Sequence, residues 1–110
     1  MIDDTLTKIE SQIQSADSVG RDRKRELLQL LATLKSEVAE LSKTHIEQAE
    51  SIAGFTQVSA HEATRGSQDP QLLQLSVQGL RSSVSGFEES HPNLVRIVNA
   101  ISNTLSNLGI

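Results

Sequence analysis

Apolar residues between Leu27 and Phe55 return at steps of four and three, and no proline interrupts the chain from Gly20 to Asp69. Leu31, Val38, His45 and Ile52 hold one heptad register; Leu27, Leu34, Leu41, Gln48 and Phe55 hold the other. A sustained repeat of that period is a helix with one apolar seam, not the two-residue alternation of a half-buried strand. A second stripe of mostly small residues lies beside it: Leu28, Ala32, Ala39, Ser42, Ile46, Ala49, Ala53, Thr56, Ala60 and Ala63. Small side chains let a neighbouring backbone come close, so two faces of this helix are expected to be packed. The one glycine inside the run past residue 50, Gly54, costs about 1 kcal/mol relative to alanine, which a long helix tolerates. The spacing therefore predicts a coiled-coil-type helix over about 22–65, roughly 65 Å long at 1.5 Å per residue. A break near Lys43-Thr44-His45 or at Gly54 is the alternative. Beyond Phe55 the seam positions are Ser59 and Glu62, so the end of this helix is expected to be exposed or frayed.

The remaining segments carry the same four-three signature. Ile2, Leu6, Ile9, Ile13 and Ala16 draw an amphipathic helix over about 3–17, with Asp3 and Asp4 where the helix dipole favours negative charge. Asp17-Ser18-Val19-Gly20 supplies turn chemistry, and Gly20 reads as a helix stop. Asp69-Pro70 is a helix start, because Asp caps and proline loses nothing in the first turn. Leu73, Val77, Leu80, Val84 and Phe87 follow, widened by Leu72 and Leu75, and predict a third helix over about 70–89. Gly79 and Gly86 sit off that seam and mark either close helix contacts or weak points. Pro92 closes the sharp turn Glu88 to His91 and opens a last helix over about 92–108, carrying Leu94, Val98, Ile101, Leu105 and Leu108. Gly109 reads as its stop. The expected fold is all-α: one domain over 1–110, an antiparallel bundle of about four helices with one long central helix.

Composition narrows the chemistry. A chain of 110 residues can bury a core without staples, but the only aromatic residues are Phe55 and Phe87. Stacking platforms for bases or flat cofactors are therefore poorly supplied. There is no cysteine, which removes disulfides, thiolate metal sites and cysteine nucleophiles. The net charge of −4 argues against a general nucleic-acid binder. The acidic start Met1-Ile2-Asp3-Asp4 lacks the basic and apolar blocks of a signal peptide, and no run approaches the length of a membrane helix. The expected place is the cytoplasm.

Catalytic patterns are missing as well. His45, His61 and His91 have no four-residue helical pairing of the kind that clamps a metal. Ser90, His91 and the acids Glu88 and Glu89 are neighbours in sequence, but a triad needs groups that converge in space around an oxyanion hole. Ser90, His91 and Pro92 read instead as a structural turn that caps and rigidifies the last helix. The six glycines are scattered and form no phosphate loop. A single Glu88-x-x-His91 falls at the turn without a partner motif, so a carboxylate-bridged bundle is not supported. We expect no cofactor, no metal and no catalytic activity.

Two surfaces invite a partner. If the long helix is unbroken, its front half has one neighbour and the richest leucine cluster, and each buried leucine is worth about 1.5–3 kcal/mol. Two such hairpins from two chains would make a four-helix bundle. The candidate interaction seam is Leu27, Leu31, Leu34, Val38 and Leu41, with His45 and Gln48 as polar positions that fix register. The expectation is a homodimer or higher homo-oligomer that presents a helical surface to itself or to another protein. The second surface is the basic cluster Arg21, Arg23, Lys24 and Arg25 at a helix start, where cations oppose the dipole. It is a candidate contact for nucleic acid or an anionic surface, unless Asp22, Glu26 and the acidic first helix neutralise it.

The last third also carries a resemblance. Asp69-Pro70-x-Leu72, Phe87-Glu88-x-Ser90-His91-Pro92-x-Leu94 and the ending Leu105-Ser106-Asn107-Leu108-Gly109-Ile110 resemble a family of short bacterial proteins, the domain of unknown function numbered 4404. The likeness is closest over 69–110 and looser over 1–41, and 43–68 is longer here than in the shorter members. The resemblance implies a small helical protein and no activity. It points to the Phe87–Pro92 turn and the C-terminal tail as places to look.

Overall fold

In a computed structural model, which describes residues 2–108, the chain forms five helices and no strand among the described residues. They are α1 (Ile2–Ser15), α2 (Arg21–Ser42), α3 (Ile46–Thr64), α4 (Pro70–Ser83) and α5 (Pro92–Leu108). The stop expected at Gly109 lies outside the described residues.

The long central helix is the main correction. α2 ends at Ser42, and α3 starts at Ile46 after a three-residue link, Lys43-Thr44-His45. His45 leaves helical geometry with φ −137° and ψ 64° and becomes the N-cap residue of α3. Its N–H still donates to the Leu41 carbonyl at 2.8 Å, and Thr44 N–H donates to the same carbonyl at 3.1 Å. No proline or glycine forces this break. Its reason is the burial beyond it. A continuous helix of roughly 65 Å does not fit a molecule whose longest extent is 37 Å. Folding α3 back buries Ala49, Ile52, Ala53, Thr56, Ser59, Ala60, Glu62 and Ala63.

α3 is the hub. It packs against each of the other four helices, whereas α1 meets only α2 and α3. The rear half of the small-residue stripe explains this, since Ala49, Ala53, Thr56, Ala60 and Ala63 are all buried and admit neighbours on several sides. The front half behaves differently: Ala32, Ala39 and Ile46 are exposed. The expected frayed end is likewise corrected. Ser59 is fully buried, and Glu62 keeps 8 % exposure while accepting a 2.9 Å ion pair from Arg65.

The core is aliphatic. Leu6, Ile9 and Ile13 of α1 and Leu27, Leu31, Leu34, Val38 and Leu41 of α2 join Ile52, Leu80, Leu94, Val98, Ile101 and Leu105 in one cluster. The radius of gyration, 12.9 Å, is near the ~13 Å expected of a compact chain this long. Lys35 ties α1 to α2: its Nζ lies 2.7 Å from Glu10 Oε1 and 3.2 Å from Thr7 Oγ1. The hydrogen bond to Glu10 raises the Lys35 pKa above the usual lysine value. Partial burial opposes that rise, and the charges of Glu10 and Asp3 add to it.

Capping follows the sequence at α4, where the Asp69 carboxylate accepts from the N–H groups of Gln71 and Leu72 at 3.0 and 3.3 Å and Pro70 occupies the first turn. Gly20 is not the stop of α1 but the N-cap of α2, without a side-chain cap. α4 stops at Ser83, earlier than the expected 89. Gly86 has φ +96°, a left-handed conformation that ends the helix and favours glycine. Its N–H donates to the Glu88 carboxylate at 2.9 Å, which fixes the turn. Gln68 joins the ends of α3 and α5, donating to the Ala63 carbonyl at 2.6 Å and to the Leu108 carbonyl at 3.3 Å.

Candidate interaction surface

The expected interaction seam lies inside the chain. Leu27, Leu31, Leu34, Val38 and Leu41 are all buried against the chain's own helices, so a partner meeting the folded protein does not reach them. The break at Lys43-Thr44-His45 removes the argument for an intermolecular seam, because the refolded chain covers what an unbroken helix would expose. His45 and Gln48, the polar seam positions, are exposed.

His45 has a different neighbour from the one its register suggested. Its ring stands edge-on to Phe87 with centroids 5.5 Å apart, and Phe87 stands edge-on to His91 at 5.4 Å. The two histidine rings are 6.2 Å apart. The link between α2 and α3 and the connection between α4 and α5 therefore meet over one aromatic cluster. His45 Nδ1 lies 2.7 Å from Thr44 Oγ1, and His91 Nδ1 lies 2.9 Å from Ser90 Oγ. Ser90 thus engages the His91 ring rather than a backbone N–H of α5. Pro92 opens that helix. Among the described residues no group of three or more His, Asp or Glu is placed to hold a metal ion.

The basic cluster is partly convergent. Arg21, Lys24 and Arg25 line a groove of about 460 Å³ together with Gln14, Leu28, Gln29 and Ala32, and Arg23 does not. Lys24 Nζ donates to the Gln14 carbonyl at 3.0 Å, near the C-terminal end of α1, where a cation suits the dipole. Arg21, Arg23 and Arg25 form no ion pair among the described residues. Glu26, expected to help neutralise them, lies 2.9 Å from the Thr104 hydroxyl of α5 instead.

The surface that remains uncovered joins the last seam residue, Phe55, to residues outside the expected interaction seam. Phe55 and Val58 of α3 and Leu72 and Leu75 of α4 retain 41, 49, 43 and 56 % exposure. They form one ridge. A methyl group built on Gly79 would collide with the Phe55 ring, so that ring lies directly on the α4 backbone. Phe55 and Gly79 are equidistant in sequence from the α3–α4 connection, as antiparallel neighbours must be. Val58 is one turn along α3 from Phe55, while Leu75 and Leu72 continue from Gly79 along α4 in the same direction. The signal was present in Leu72 and Leu75, which widen the α4 face beyond its buried stripe. What that face met was not readable.

An all-α fold of five helices, with no helix among the described residues long and apolar enough to cross a membrane, defines the class of this chain. It belongs to the family described as Domain of unknown function (DUF4404), whose model matches residues 27–110. The match takes in the α2–α3 break and begins inside α2, leaving α1 outside it. No curated protein and no solved structure matches the chain.

Proposed function

We propose that the chain is a protein–protein interaction module without catalytic activity, and that the Phe55–Val58–Leu72–Leu75 ridge is its contact surface. The observation that carries this reading is the exposure of four large apolar side chains on two adjacent helices; the other exposed large apolar residue, Ile46, stands at the start of α3, outside this group. Contiguous patches of a few hundred Å² on a small protein are commonly contact sites. The cytoplasm is the compartment we assign, since a cysteine-free helical chain needs no oxidising environment. A photo-crosslinking residue placed at Val58 in cells tests the reading. Adducts are expected there and not from the same residue placed at the exposed Ser36 on α2. No adduct at Val58, or equal labelling at both positions, would end it.

A second reading has one observation of its own. Arg21, Lys24 and Arg25 converge on one groove, and the two arginines carry no ion pair there. The same residues would contact an anionic surface or nucleic acid, with affinity that falls steeply as salt rises. Lipid flotation and gel-shift assays at low salt that show no binding would dispose of it.

A further inference from the structure

We infer that the occupant of the α3/α4 ridge is a second copy of this chain, joined about a two-fold axis that passes nearest Leu75. This rests on the reading of the ridge as a contact surface and names its partner.

Charge is the first argument. The chain carries −4 overall, so a contact between two copies is least opposed where the meeting face adds no charge of its own. The ridge is neutral. From Pro70 to Leu80 α4 holds no charged residue, and Ser51 and Ser82 extend the uncharged rim. Charged groups border it: Glu62 pairs with Arg65 at 2.9 Å, Arg81 donates to Asn103 on α5 at 2.7 Å, and the Asp69 carboxylate caps α4 at the far end, one turn before Leu72. A two-fold contact pairs each residue with a different one except at the axis itself, where a residue meets its own copy, so an unpaired charge there would meet its own sign. This face avoids that conflict, and Leu75, its most exposed member at 56 %, is the natural centre.

Area is the second argument. Four apolar side chains left about half exposed amount to roughly 400 Å² per copy. Two copies meeting there would bury at most about 800 Å² of these side chains, below the roughly 1,200 Å² of standard interfaces and in the range of weak contacts. Surfaces of that size give weak, reversible dimers rather than obligate ones. The geometry is self-consistent too: two antiparallel α3/α4 pairs laid face to face make a four-helix bundle, and Phe55, seated over Gly79, keeps 41 % exposure for the contact.

Sedimentation velocity of the full chain from about 1 µM to about 1 mM tests the inference over the span that weak interfaces occupy. The expected result is a reversible monomer–dimer equilibrium. Leu75→Glu and Leu75→Lys should each weaken it at least tenfold, and an equimolar mixture of the two should restore it. Ile46→Glu, which changes an exposed apolar residue outside the ridge, should leave it unaltered. Helicity by circular dichroism confirms that each variant is folded. A crosslinker at Val58 in the purified chain gives an independent readout, a covalent product of twice 12.0 kDa.

A chain that stays monomeric throughout overturns the second copy as partner. So does a dimer that Ile46→Glu breaks and Leu75→Glu does not, or one that the mixed variants fail to restore. If the chain is monomeric but Val58 still labels another protein in cells, only the self-docking inference fails. If Val58 labels nothing anywhere, the interaction reading fails with it.

Discussion

Among the described residues, two hydroxyls sit in the core without a partner: Ser59 Oγ on α3 and Ser102 Oγ on α5, both fully buried. A desolvated hydroxyl without a hydrogen bond is destabilising, so Ser102→Ala should raise stability by about 1 kcal/mol, measured by chemical denaturation. A loss of stability would mean that the hydroxyl is satisfied. The helical glycines offer a paired contrast. Nothing lies within 4 Å of a methyl group built on Gly54, so Gly54→Ala should stabilise by about 0.5–1 kcal/mol. Gly79→Ala gains the same backbone preference but drives its methyl group into Phe55, and its net effect should be a loss. In the sequence Gly79 reads as either a close contact or a weak point, and Gly54 as a tolerated cost or a possible break. Only the Phe55 ring decides which is which.

At the scale of the helices, the instructive element is the link 43–45. Thr44 and His45 are mediocre helix formers, costing a few tenths of a kcal/mol each, and neither is a breaker. Local preference therefore cannot account for a chain reversal there. The reversal follows from the gain of burying the inner face of α3, which greatly exceeds three residues of helix propensity. Replacing Lys43, Thr44 and His45 with alanine should accordingly leave the dilute protein compact. Small-angle scattering should still give a radius of gyration near 12.9 Å. A rod-like particle would show that the link itself sets the break. At α4 the case is reversed: Asp69-Pro70 was legible as a start because capping is local chemistry, whereas the stop at Ser83 depended on the conformation of Gly86, three residues on.

For the whole molecule, α1 poses the sharpest question, since the family match begins at residue 27 and yet α1 covers both α2 and α3. It contributes Leu6, Ile9 and Ile13 to the core. Burying three such side chains is worth roughly 5–9 kcal/mol, comparable with the total stability of about 5–15 kcal/mol that a domain possesses. A chain lacking residues 1–16 should therefore melt far lower and bind a hydrophobic dye; unchanged melting would make α1 an accessory. The Lys35–Glu10 link supports the same docking. Because folding raises the lysine's pKa, its contribution is fully present below the unfolded value and is lost as pH rises through the folded one. Alkaline titration should thus weaken the native protein above about pH 10, and Lys35→Met should remove that part of the dependence.

That this chain is helical, where most of its helices begin, and which aliphatic residues enter the core were all legible in its residues. Those properties follow from periodicity and from capping groups that act within one turn. Packing between helices settles that the central helix breaks, that Ser59 and Glu62 are buried, and that His45 meets His91 across Phe87. It also moved the open apolar face from the leucines of α2 to the α3/α4 ridge. Each of these depends on what lies opposite a residue, and a heptad seam records only that a partner is needed. Here the chain supplies that partner itself, by turning back at Lys43-Thr44-His45, the alternative break point, which holds neither proline nor glycine.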